Sequence, residues 1–517
     1  MKTDILILGG GLAALAAADE AVRNSGYKVT LLQCGGGASP HIHGFCLPIG
    51  EDDSEELLLQ DTLASGCGYT DPKLARALCM GSLELMEYFR QLELDIDREG
   101  DHPRLLKALG SSVPRIAGIE NATGPAVMRK LRSRLKDSGR YTEISHQRAI
   151  RLLTHQGAVI GARCFDLEAQ EFYNVYAGCV ILATGGFCRI FPENTNAAEM
   201  GGDGIAMAYH AGAKLTDMEF IQFEPCSAVW PPQVAGKGII TTMFYNGAVL
   251  RGVTGERFML RYGKEGECVP KDVLSRCIAD EILKNGATEH GGVYFDATNV
   301  PDELMEGVYL PYLQRYLHCG IDLRTTPVEI APAAHTSCGG VVIDDSCRTG
   351  IPGLIACGEV TGGLHGANRL GGNAGLETMM FGRIAGKTAV QSVTACPDGE
   401  EQRCGDTPAN IDIAAMRAQL QQILRRSLNV IRTEQTMADG LRQLTALKTA
   451  LGTTDGCYEK LRLHNDLVAA TAALCGALER KTSVGCHFRE DTAKEEHTYR
   501  VVTENNGEGF VLSRESV

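Results

Sequence analysis

The amino-acid sequence predicts an α/β fold whose central sheet is parallel and assembled from distant parts of the chain. One observation is the stretch DILILGGGLAALAAADEA, which reads as a buried strand, a tight glycine turn and an alanine-rich helix. The run KVTLLQ follows as a second strand and completes a βαβ unit. Another observation is that CVILATGG and GLIACGEV are short, apolar and end in glycine, as strands buried on both faces do.

The remaining patterns predict a discontinuous sheet domain with one insertion and one appended domain. Residues 1–226 and 335–395 are predicted to form the two parts of the sheet domain. Residues 227–334 have mixed patterns with a helical stretch and are predicted to form an inserted α+β domain. Helical periodicity dominates from residue 411 onward and predicts a helical domain over 411–517, after a Pro/Gly/Asp-rich linker at 396–410.

Composition and charge exclude several classes of function. The 517-residue chain has a net charge of -14 and no long Lys/Arg run, which argues against a nucleic-acid partner. Its N-terminus does not resemble a secretory signal, and no window holds roughly 18 unbroken apolar residues, so we expect no membrane span. The 19 cysteines are scattered without metal-ligand spacing, which predicts no metal site and reduced thiols in a cytoplasm.

The glycine turn has the spacing of a dinucleotide-binding motif. Gly9, Gly11 and Ala14 occupy the G-x-G-x-x-G/A positions between the first strand and the first helix. The glycines allow close approach to a pyrophosphate, which the helix N-terminus attracts. Gln33 closes the second strand, where many such sites carry an acid for a ribose hydroxyl. This position does not distinguish a flavin from a nicotinamide, and a glycine turn without a ligand is the alternative.

Later motifs give the chain a family resemblance. ATGG at 183–186, MGGDGIAMAYHAGAKLTDMEFIQF, PAAHTSCGGVVID, GLIACGEVTGGLHGANRLGGNAGLE and ALERKTSVGCHFRED resemble the flavoprotein subunits of fumarate reductase and succinate dehydrogenase, and L-aspartate oxidase. The motifs follow the family's order over nearly the whole chain. The resemblance implies a Rossmann-like, discontinuous FAD-binding domain, an inserted α+β capping domain that closes over the flavin, and a C-terminal helical domain.

The resemblance also implies which residues contact FAD. Besides the motif residue Ala14, these are Gly9, Gly11, Ala13, Gln33, Ser39, Ala149, Ala183, Thr184, Gly185, Asp203, Glu359, Asn373 and Ala374. Glu359 would hold the ribose; its alternative is an acid stabilised at a helix start.

Some family members carry FAD covalently on a histidine near the second strand. Pro40 takes the position of that histidine here, and His41 and His43 lie close by but out of register. We therefore expect non-covalent FAD, with the two histidines as either site or loop residues.

The resemblance further implies which residues grip and protonate the substrate. His335 in PAAH and Arg369 in HGANR would clamp a substrate carboxylate. The family's proton-donating arginine in P-R-D is replaced by Lys271, which we expect to be the acid, with Asp272 orienting it. The alternative is that Pro270 and Lys271 only open a surface helix.

The chain departs from the family at Glu224, where QFHPT becomes QFEPC. A histidine that helps to bind a second carboxylate is thereby replaced by a carboxylate. We expect Glu224 to face the pocket and to pair with Lys271 or receive a cationic or hydrogen-bond-donating part of the substrate. The alternative is a structural salt bridge away from the flavin.

The family's Thr-Glu pair is also absent from the capping domain. Met243 and Phe244 stand there, and with Trp230 and Tyr245 they could line an apolar subsite or be plain core.

These residues together predict an enzyme, an FAD-dependent oxidoreductase acting on CH–CH groups. It would reduce or form a Cα=Cβ bond in a small unsaturated carboxylic acid other than fumarate, with hydride from flavin N5 and a proton from Lys271; because only one anionic group finds its partners, we expect a monocarboxylate. A separate donor (an iron–sulfur protein, a reduced flavin or an NADH-linked protein) would supply electrons, in the cytoplasm or peripheral to the membrane through partner subunits. An amino-acid oxidase like L-aspartate oxidase and an electron-transfer subunit with degraded catalysis are the alternatives.

Overall fold

A parallel sheet and the helices that cover it occupy the first part of the chain. The structure is a computed structural model that describes residues 1–397, 399, 403–454, 456–492, 498–507 and 509–517. The strands up to residue 220 are β1 (Lys2–Leu8), β2 (Val29–Leu32), β3 (Phe45–Cys46), β4 (Arg98–Glu99), β5 (His102–Pro103), β6 (Leu105–Leu106), β7 (Ile116–Ala117), β8 (Tyr141–Ile144), β9 (Gln147–His155), β10 (Ala158–Asp166), β11 (Glu171–Leu182) and β12 (Leu215–Thr216). The helices are α1 (Leu12–Arg23), α2 (Glu55–Ser65), α3 (Pro72–Cys79), α4 (Glu84–Gln91), α5 (Thr123–Asp137) and α6 (Asp203–His210).

The main sheet has the strand order β8-β2-β1-β11-β10-β9. Strands β8, β2, β1 and β11 are parallel to one another, whereas β10 and β9 add an antiparallel edge next to β11. β1 lies inside this sheet, and its apolar run Ile5–Leu8 is fully buried, as expected of a strand covered on both faces. The carboxyl ends of β1 and β11 therefore lie side by side, where ligands of such sheets bind.

The alanine-rich sequence of α1 is explained by a close helix–helix contact. Its partner is a later helix, Asn373–Ser392, which carries Gly382 and Gly386 on the facing side. A Cβ atom at Gly382 would lie 2.6 Å from the Ala13 carbonyl oxygen, and one at Gly386 would lie 2.3 Å from that of Ala17. Only small side chains permit this approach, which holds the glycine turn before α1 against the sheet.

The middle of the chain forms a second, antiparallel sheet with its own core. Its elements are β13 (Ile221–Ala228), β14 (Val249–Arg251), α7 (Lys271–Asn285), β15 (Val293–Asp296), α8 (Asp302–Glu306), α9 (Leu310–Leu317) and β16 (Val328–Ser337). The strand order is β13-β16-β15-β14. We call residues 227–334 the capping segment; the paired strands β13 and β16 join it to the rest of the molecule.

The last part of the chain returns to the main sheet and then forms a helical bundle. Its elements are β17 (Gly340–Val341), β18 (Leu354–Ala356), α10 (Asn373–Ser392), β19 (Cys404–Gly405), α11 (Ile413–Ser427), β20 (Ile431–Arg432), α12 (Glu434–Leu451), α13 (Tyr458–Glu479), β21 (Phe488–Arg489), β22 (Tyr499–Asn505) and β23 (Phe510–Ser516). β18 extends the main sheet beside β11 in parallel register. Sequence and structure thus agree that the sheet is built from distant pieces.

The C-terminal part contains β-strands that helical periodicity did not predict. Strands β22 and β23 form an antiparallel hairpin, and β22 also pairs with β12 of the first part of the chain. In the predicted linker at 396–410, β19 pairs with β11, while residues 398 and 400–402 lie outside the described residues. Residues 455, 493–497 and 508 of the predicted helical domain also lie outside them.

Candidate active site

The first cavity lies at the carboxyl ends of β1 and β11, beside the N-terminus of α1. Twelve of the fourteen residues predicted to contact FAD line it: Gly9, Gly11, Ala13, Gln33, Ser39, Ala149, Ala183, Thr184, Gly185, Asp203, Glu359 and Ala374. The other two do not. Ala14 is fully buried inside α1, and Asn373 is fully buried with its amide donating to the Thr62 hydroxyl at 2.9 Å.

The glycine turn forms a cradle that only a residue without a side chain could form. Gly9 has φ +132°, and a Cβ atom there would lie 2.1 Å from the Ala183 carbonyl oxygen. Gly11 precedes α1 and provides no capping side chain, while the Leu12 amide donates to the Ser39 hydroxyl at 2.8 Å. The helix N-terminus, with its partial positive charge, therefore faces the cavity, as a pyrophosphate requires.

Two polar groups at this cavity lack partners within the described part of the protein. The Thr184 hydroxyl is buried without a hydrogen bond among the described residues, and Thr184 lines the cavity. The amide nitrogen of Gln33 donates to Ser145 at 2.8 Å and to Glu143 at 3.2 Å, so its amide oxygen remains for a ligand. Together with the glycine cradle, these groups fit FAD.

Glu359 lines the first cavity and also a second, adjoining cavity that is described below. Its carboxylate accepts a hydrogen bond from the Ser337 amide at 3.1 Å, and burial raises the pKa of Glu359 to about 7. Buried carboxylates that keep free acceptor sites are suited to bind hydroxyl groups.

Asp203 has a different environment from Glu359. Its carboxylate pairs with Arg148 at 2.7 Å and accepts from the Asn465 amide at 2.9 Å. Both oxygens are thus engaged by the protein, and Arg148 also donates to the Glu199 carbonyl at 2.9 Å. Sequence reasoning missed Arg148 and Glu199 as lining residues; the position of Arg148 beside Ala149 was the available signal.

The second cavity, of about 1470 Å³, adjoins the first because Glu359 and Ala374 line both. The four predicted catalytic residues Glu224, Lys271, His335 and Arg369 all line it. They come from β13, the start of α7, β16 and the loop before α10. The fold therefore brings together residues that are far apart in the sequence.

The pairing of β13 with β16 is irregular next to two of these residues, Glu224 and His335. The register shifts between the pairs Gln222–Thr336 and Phe223–Ala334, so His335 lies in a bulge. A second shift follows Glu224, where Pro225 has no amide hydrogen to donate. Bulges of this kind redirect side chains next to active sites.

Glu224 and Lys271 form a direct, hydrogen-bonded ion pair in the second cavity. The Glu224 side chain is 8% exposed and that of Lys271 is 14% exposed, so the pair is largely shielded from bulk water. Lys271 is the first residue of α7; Pro270 before it is exposed, but the Lys271 side chain lines the cavity. The two charges neutralise each other at the centre of the site.

His335 is held between Thr195 and Glu224. Its Nδ1 lies 2.7 Å from the Thr195 hydroxyl, and its Nε2 lies 3.9 Å from Glu224 Oε2. Enclosure by the protein and the positive charges of Lys271 and Arg369 lower the pKa of His335 well below 6.5. The imidazole is consequently neutral at physiological pH and can act as a hydrogen-bond donor.

Arg369 carries a buried charge without an ion-pair partner among the described residues. It is 5% exposed, and its Nε has no hydrogen-bond partner there. The side-chain amide of Gln222 fixes its backbone by donating to the Arg369 carbonyl at 2.9 Å. Nη1 donates to the Leu370 carbonyl at 3.4 Å, and a buried guanidinium with no ion-pair partner among the described residues is suited to bind a carboxylate.

Asp272 does not orient Lys271, which corrects the expectation. Its carboxylate instead faces Arg276, at 3.4 Å, one turn along α7. Burial raises the pKa of Asp272.

Of the two interpretations left open for the four apolar residues of the capping segment, the structure does not support the apolar subsite, because none of them lines the second cavity. Met243 and Phe244 are buried in the core of the capping segment and do not line the second cavity. Trp230 is 40% exposed and stacks on His290, with 4.0 Å between the ring centres. The Tyr245 hydroxyl donates to the Ala108 carbonyl at 3.4 Å.

The loop around Pro40 offers no nucleophile at the position of the linking histidine. Pro40 lies in a short 3-10 turn, Ser39–His41, beside the first cavity. His41 and His43 line the second cavity. Non-covalent FAD stays a prediction that this arrangement favours.

Comparison with known proteins shows the family. The pattern of a family described as "FAD binding domain" matches residues 4–374, and that of "Fumarate reductase flavoprotein C-term" matches residues 417–508. The chain belongs to the fumarate reductase and succinate dehydrogenase flavoprotein family. Family, fold class and FAD are thereby confirmed, and the chain is an FAD-dependent oxidoreductase.

Two relatives in this flavoprotein family are named as different enzymes. A fumarate reductase (CoM/CoB) subunit of Methanothermobacter marburgensis is 33% identical over 522 residues, covering 95% of this chain and 94% of the relative. L-aspartate oxidase of Neisseria meningitidis serogroup B is 30% identical over 506 residues, covering 94% of this chain and 99% of the relative.

Solved structures of the flavoprotein family share the whole fold. FrdA of the E. coli quinol fumarate reductase has a TM-score of 0.89 and 23% identity, covering 100% of this chain and 97% of its own. Sdh1 of Mycobacterium smegmatis has a TM-score of 0.86 and 26% identity, covering 100% and 95%. In the part of the chain that the structure describes, we find no helix with the length and apolar character that a membrane span needs.

Proposed function

We propose that this flavoprotein reduces, or in reverse forms, the Cα=Cβ bond of a carboxylic acid other than fumarate, with Lys271 as the proton donor. The observation that carries the proposal is the Glu224–Lys271 ion pair in the cavity that also holds His335 and Arg369. This cavity adjoins the one that fits FAD. When bound, the flavin supplies hydride chemistry at N5.

Arg369 and His335 anchor one substrate carboxylate. The free N–H groups of Arg369 provide charge-assisted hydrogen bonds, and neutral His335 adds a donor when Thr195 donates to its Nδ1. This grip draws electron density from the conjugated double bond and makes it a better hydride acceptor.

Lys271 then protonates the carbon that does not receive the hydride. Its ammonium is directed by Glu224, so the donor has a fixed position rather than the freedom of a surface lysine.

Fumarate fits this arrangement poorly. A second carboxylate next to the reacting bond would meet Glu224, and two like charges about 4 Å apart repel by roughly 4 kcal/mol at an effective dielectric constant near 20. Lys271 offsets part of this repulsion, because Glu224 uses only one of the three N–H groups of its ammonium.

A panel of electron acceptors tests the proposal. The flavin is reduced anaerobically, and its reoxidation is followed by absorbance after addition of unsaturated monocarboxylates, longer unsaturated dicarboxylates or fumarate. We expect reoxidation by unsaturated acids other than fumarate. Reoxidation by fumarate as fast as by the best of the others would contradict the role assigned to Glu224.

An amino-acid oxidase is the second candidate, because Glu224 could hold a substrate ammonium. The ion pair weighs against it, since the ammonium would have to displace Lys271. Rapid flavin reduction by L-aspartate would nevertheless select this candidate. No response to any acid or amino acid would leave the electron-transfer role.

The electron donor is proposed to be a separate protein or cofactor. The M. marburgensis relative is named as one subunit of its fumarate reductase, which indicates a multi-subunit enzyme and supports this view. An iron–sulfur protein, a reduced flavin and an NADH-linked protein are the candidates. Co-purification of the chain with the proteins that bind it, followed by metal analysis and absorbance spectroscopy of the complex, distinguishes these candidates.

A further inference from the structure

The second cavity contains a cluster of polar side chains that the proposed reaction does not use. Tyr312 and Arg315 lie three residues apart on α9 and therefore on the same face of that helix. His43 reaches the cluster from the loop after β2. All three line the cavity that holds Lys271.

Arg315 is held in place but its charge is not neutralised. Nη1 donates to the Gly238 carbonyl at 2.8 Å, and the guanidinium carbon lies 5.2 Å from the centre of the Tyr312 ring. These two contacts fix the orientation of the guanidinium. No ion pair or second hydrogen bond of Arg315 is present among the described residues, so several N–H groups remain for a ligand.

Tyr312 and His43 add hydrogen-bonding groups beside this guanidinium. The Tyr312 hydroxyl lies 3.2 Å from His43 Nε2. Tyr312 is 4% exposed, and burial raises its pKa, so the hydroxyl keeps its proton and can donate. Arg315 and Tyr312 thus supply donors at one place.

The charge of Lys271 acts both on His43 of this cluster and on His335 of the pair that anchors the carboxylate. Enclosure and the charges of Arg315, His41 and Lys271 lower the pKa of His43 to about 4. Lys271 and Arg369 both act on His335. Glu224 compensates Lys271, whereas Arg315 and Arg369, which line the same cavity, have no ion-pair partner among the described residues.

We propose that Arg315, with Tyr312 and His43, forms a second anion subsite that binds a carboxylate-like oxyanion on the tail of the substrate. The position next to the reacting bond is occupied by the Glu224–Lys271 pair. The tail oxyanion therefore lies further from the anchored carboxylate than the second carboxylate of fumarate does. This inference rests on the proposed function for the placement of the reacting bond.

Binding of unreactive probes tests the subsite without any turnover. Glutarate, adipate and pimelate are titrated into the FAD-loaded enzyme, each against the saturated monocarboxylate of the same carbon count. Binding is followed by calorimetry and by the perturbation of flavin absorbance. We expect at least one dicarboxylate to bind about tenfold tighter than its monocarboxylate, as a charge-assisted hydrogen bond allows.

Variants assign that preference to the cluster. Arg315→Met should abolish it while leaving monocarboxylate binding unchanged, and Arg315→Lys should restore part of it. The matched control is Arg324→Met, which removes an arginine paired with Asp322 and Glu306 and should behave as the parent protein. A preference that survives in Arg315→Met, or no preference in the parent for any of the three dicarboxylates, overturns the inference.

A reaction arm separates this inference from the proposed function. The unsaturated counterparts of the probes are offered to the reduced enzyme. If the enzyme reduces unsaturated acids but shows no Arg315-dependent preference for dicarboxylates, the proposed function is supported and the subsite is refuted. An Arg315-dependent preference in binding with no reduction of any unsaturated acid keeps the subsite and removes the function.

Discussion

Replacing Lys271 with methionine removes the ammonium from the second cavity while keeping a side chain of similar length. If Lys271 is the acid, turnover falls on the order of 10²-fold or more, which corresponds to roughly 2.7 kcal/mol of activation free energy. Lys271 does not line the first cavity, so the variant should keep its FAD.

The same substitution also leaves Glu224 without its partner. Removing one member of a buried ion pair costs about 3–5 kcal/mol of stability, and the opening of this pair to the cavity places the expected loss at the lower end. A loss of activity could then reflect partial unfolding. The double variant Lys271→Met/Glu224→Gln removes both charges and should recover most of the stability but none of the turnover.

The assay combines three measurements on each variant. Flavin content comes from the ratio of visible to protein absorbance, stability from chemical unfolding, and turnover from anaerobic stopped-flow reoxidation of the reduced flavin. Near-parental turnover in the stable double variant would remove Lys271 from the mechanism. Turnover that rises and falls with stability across the three proteins would assign Lys271 a structural role only.

Three further predictions test the rest of the site. Gly9→Ala should lose bound FAD because the new Cβ would lie 2.1 Å from the Ala183 carbonyl oxygen, whereas Gly26→Ala, with nothing within 4 Å, should keep it; the flavin-to-protein absorbance ratio decides. Glu224→His should raise fumarate reduction about tenfold relative to Glu224→Gln, because it adds a donor for a second carboxylate; equal rates would contradict this. Because burial raises the pKa of Glu359 from 4.5 to about 7, its contribution to the stability of the flavin-free protein is full below about pH 4.5 and is lost as the pH rises to about 7. Glu359→Gln should flatten the pH dependence of the free energy of unfolding by at most about 3 kcal/mol, as measured by chemical unfolding at each pH, and an unchanged profile would contradict the shift.

Local patterns were sufficient to predict the parallel sheet and the glycine turn of the first cavity. The turn at Gly9 and Gly11 depends on backbone conformation, which the order of strand, glycines and helix already specifies. The family resemblance supplied Glu359 and Arg369, whose motifs are contiguous in the sequence. These are features that a short stretch of chain encodes by itself.

Contacts between distant segments could not be predicted in the same way. Asp272 follows Lys271 directly, yet the helix turns its carboxylate toward Arg276. Phe244 has the composition of a subsite residue, but packing places it in the core of the capping segment. Arg315 gave no signal, because only the fold brings α9 to the cavity.

The two connections between the capping segment and the rest of the molecule form a single antiparallel ribbon, β13 with β16. Glu224 and His335 are both part of this ribbon, on opposite strands. A swing of the capping segment would flex the ribbon and shift both side chains relative to Arg369. Any movement of the capping segment that admits a substrate would therefore also change the distances of Glu224 and His335 from Arg369.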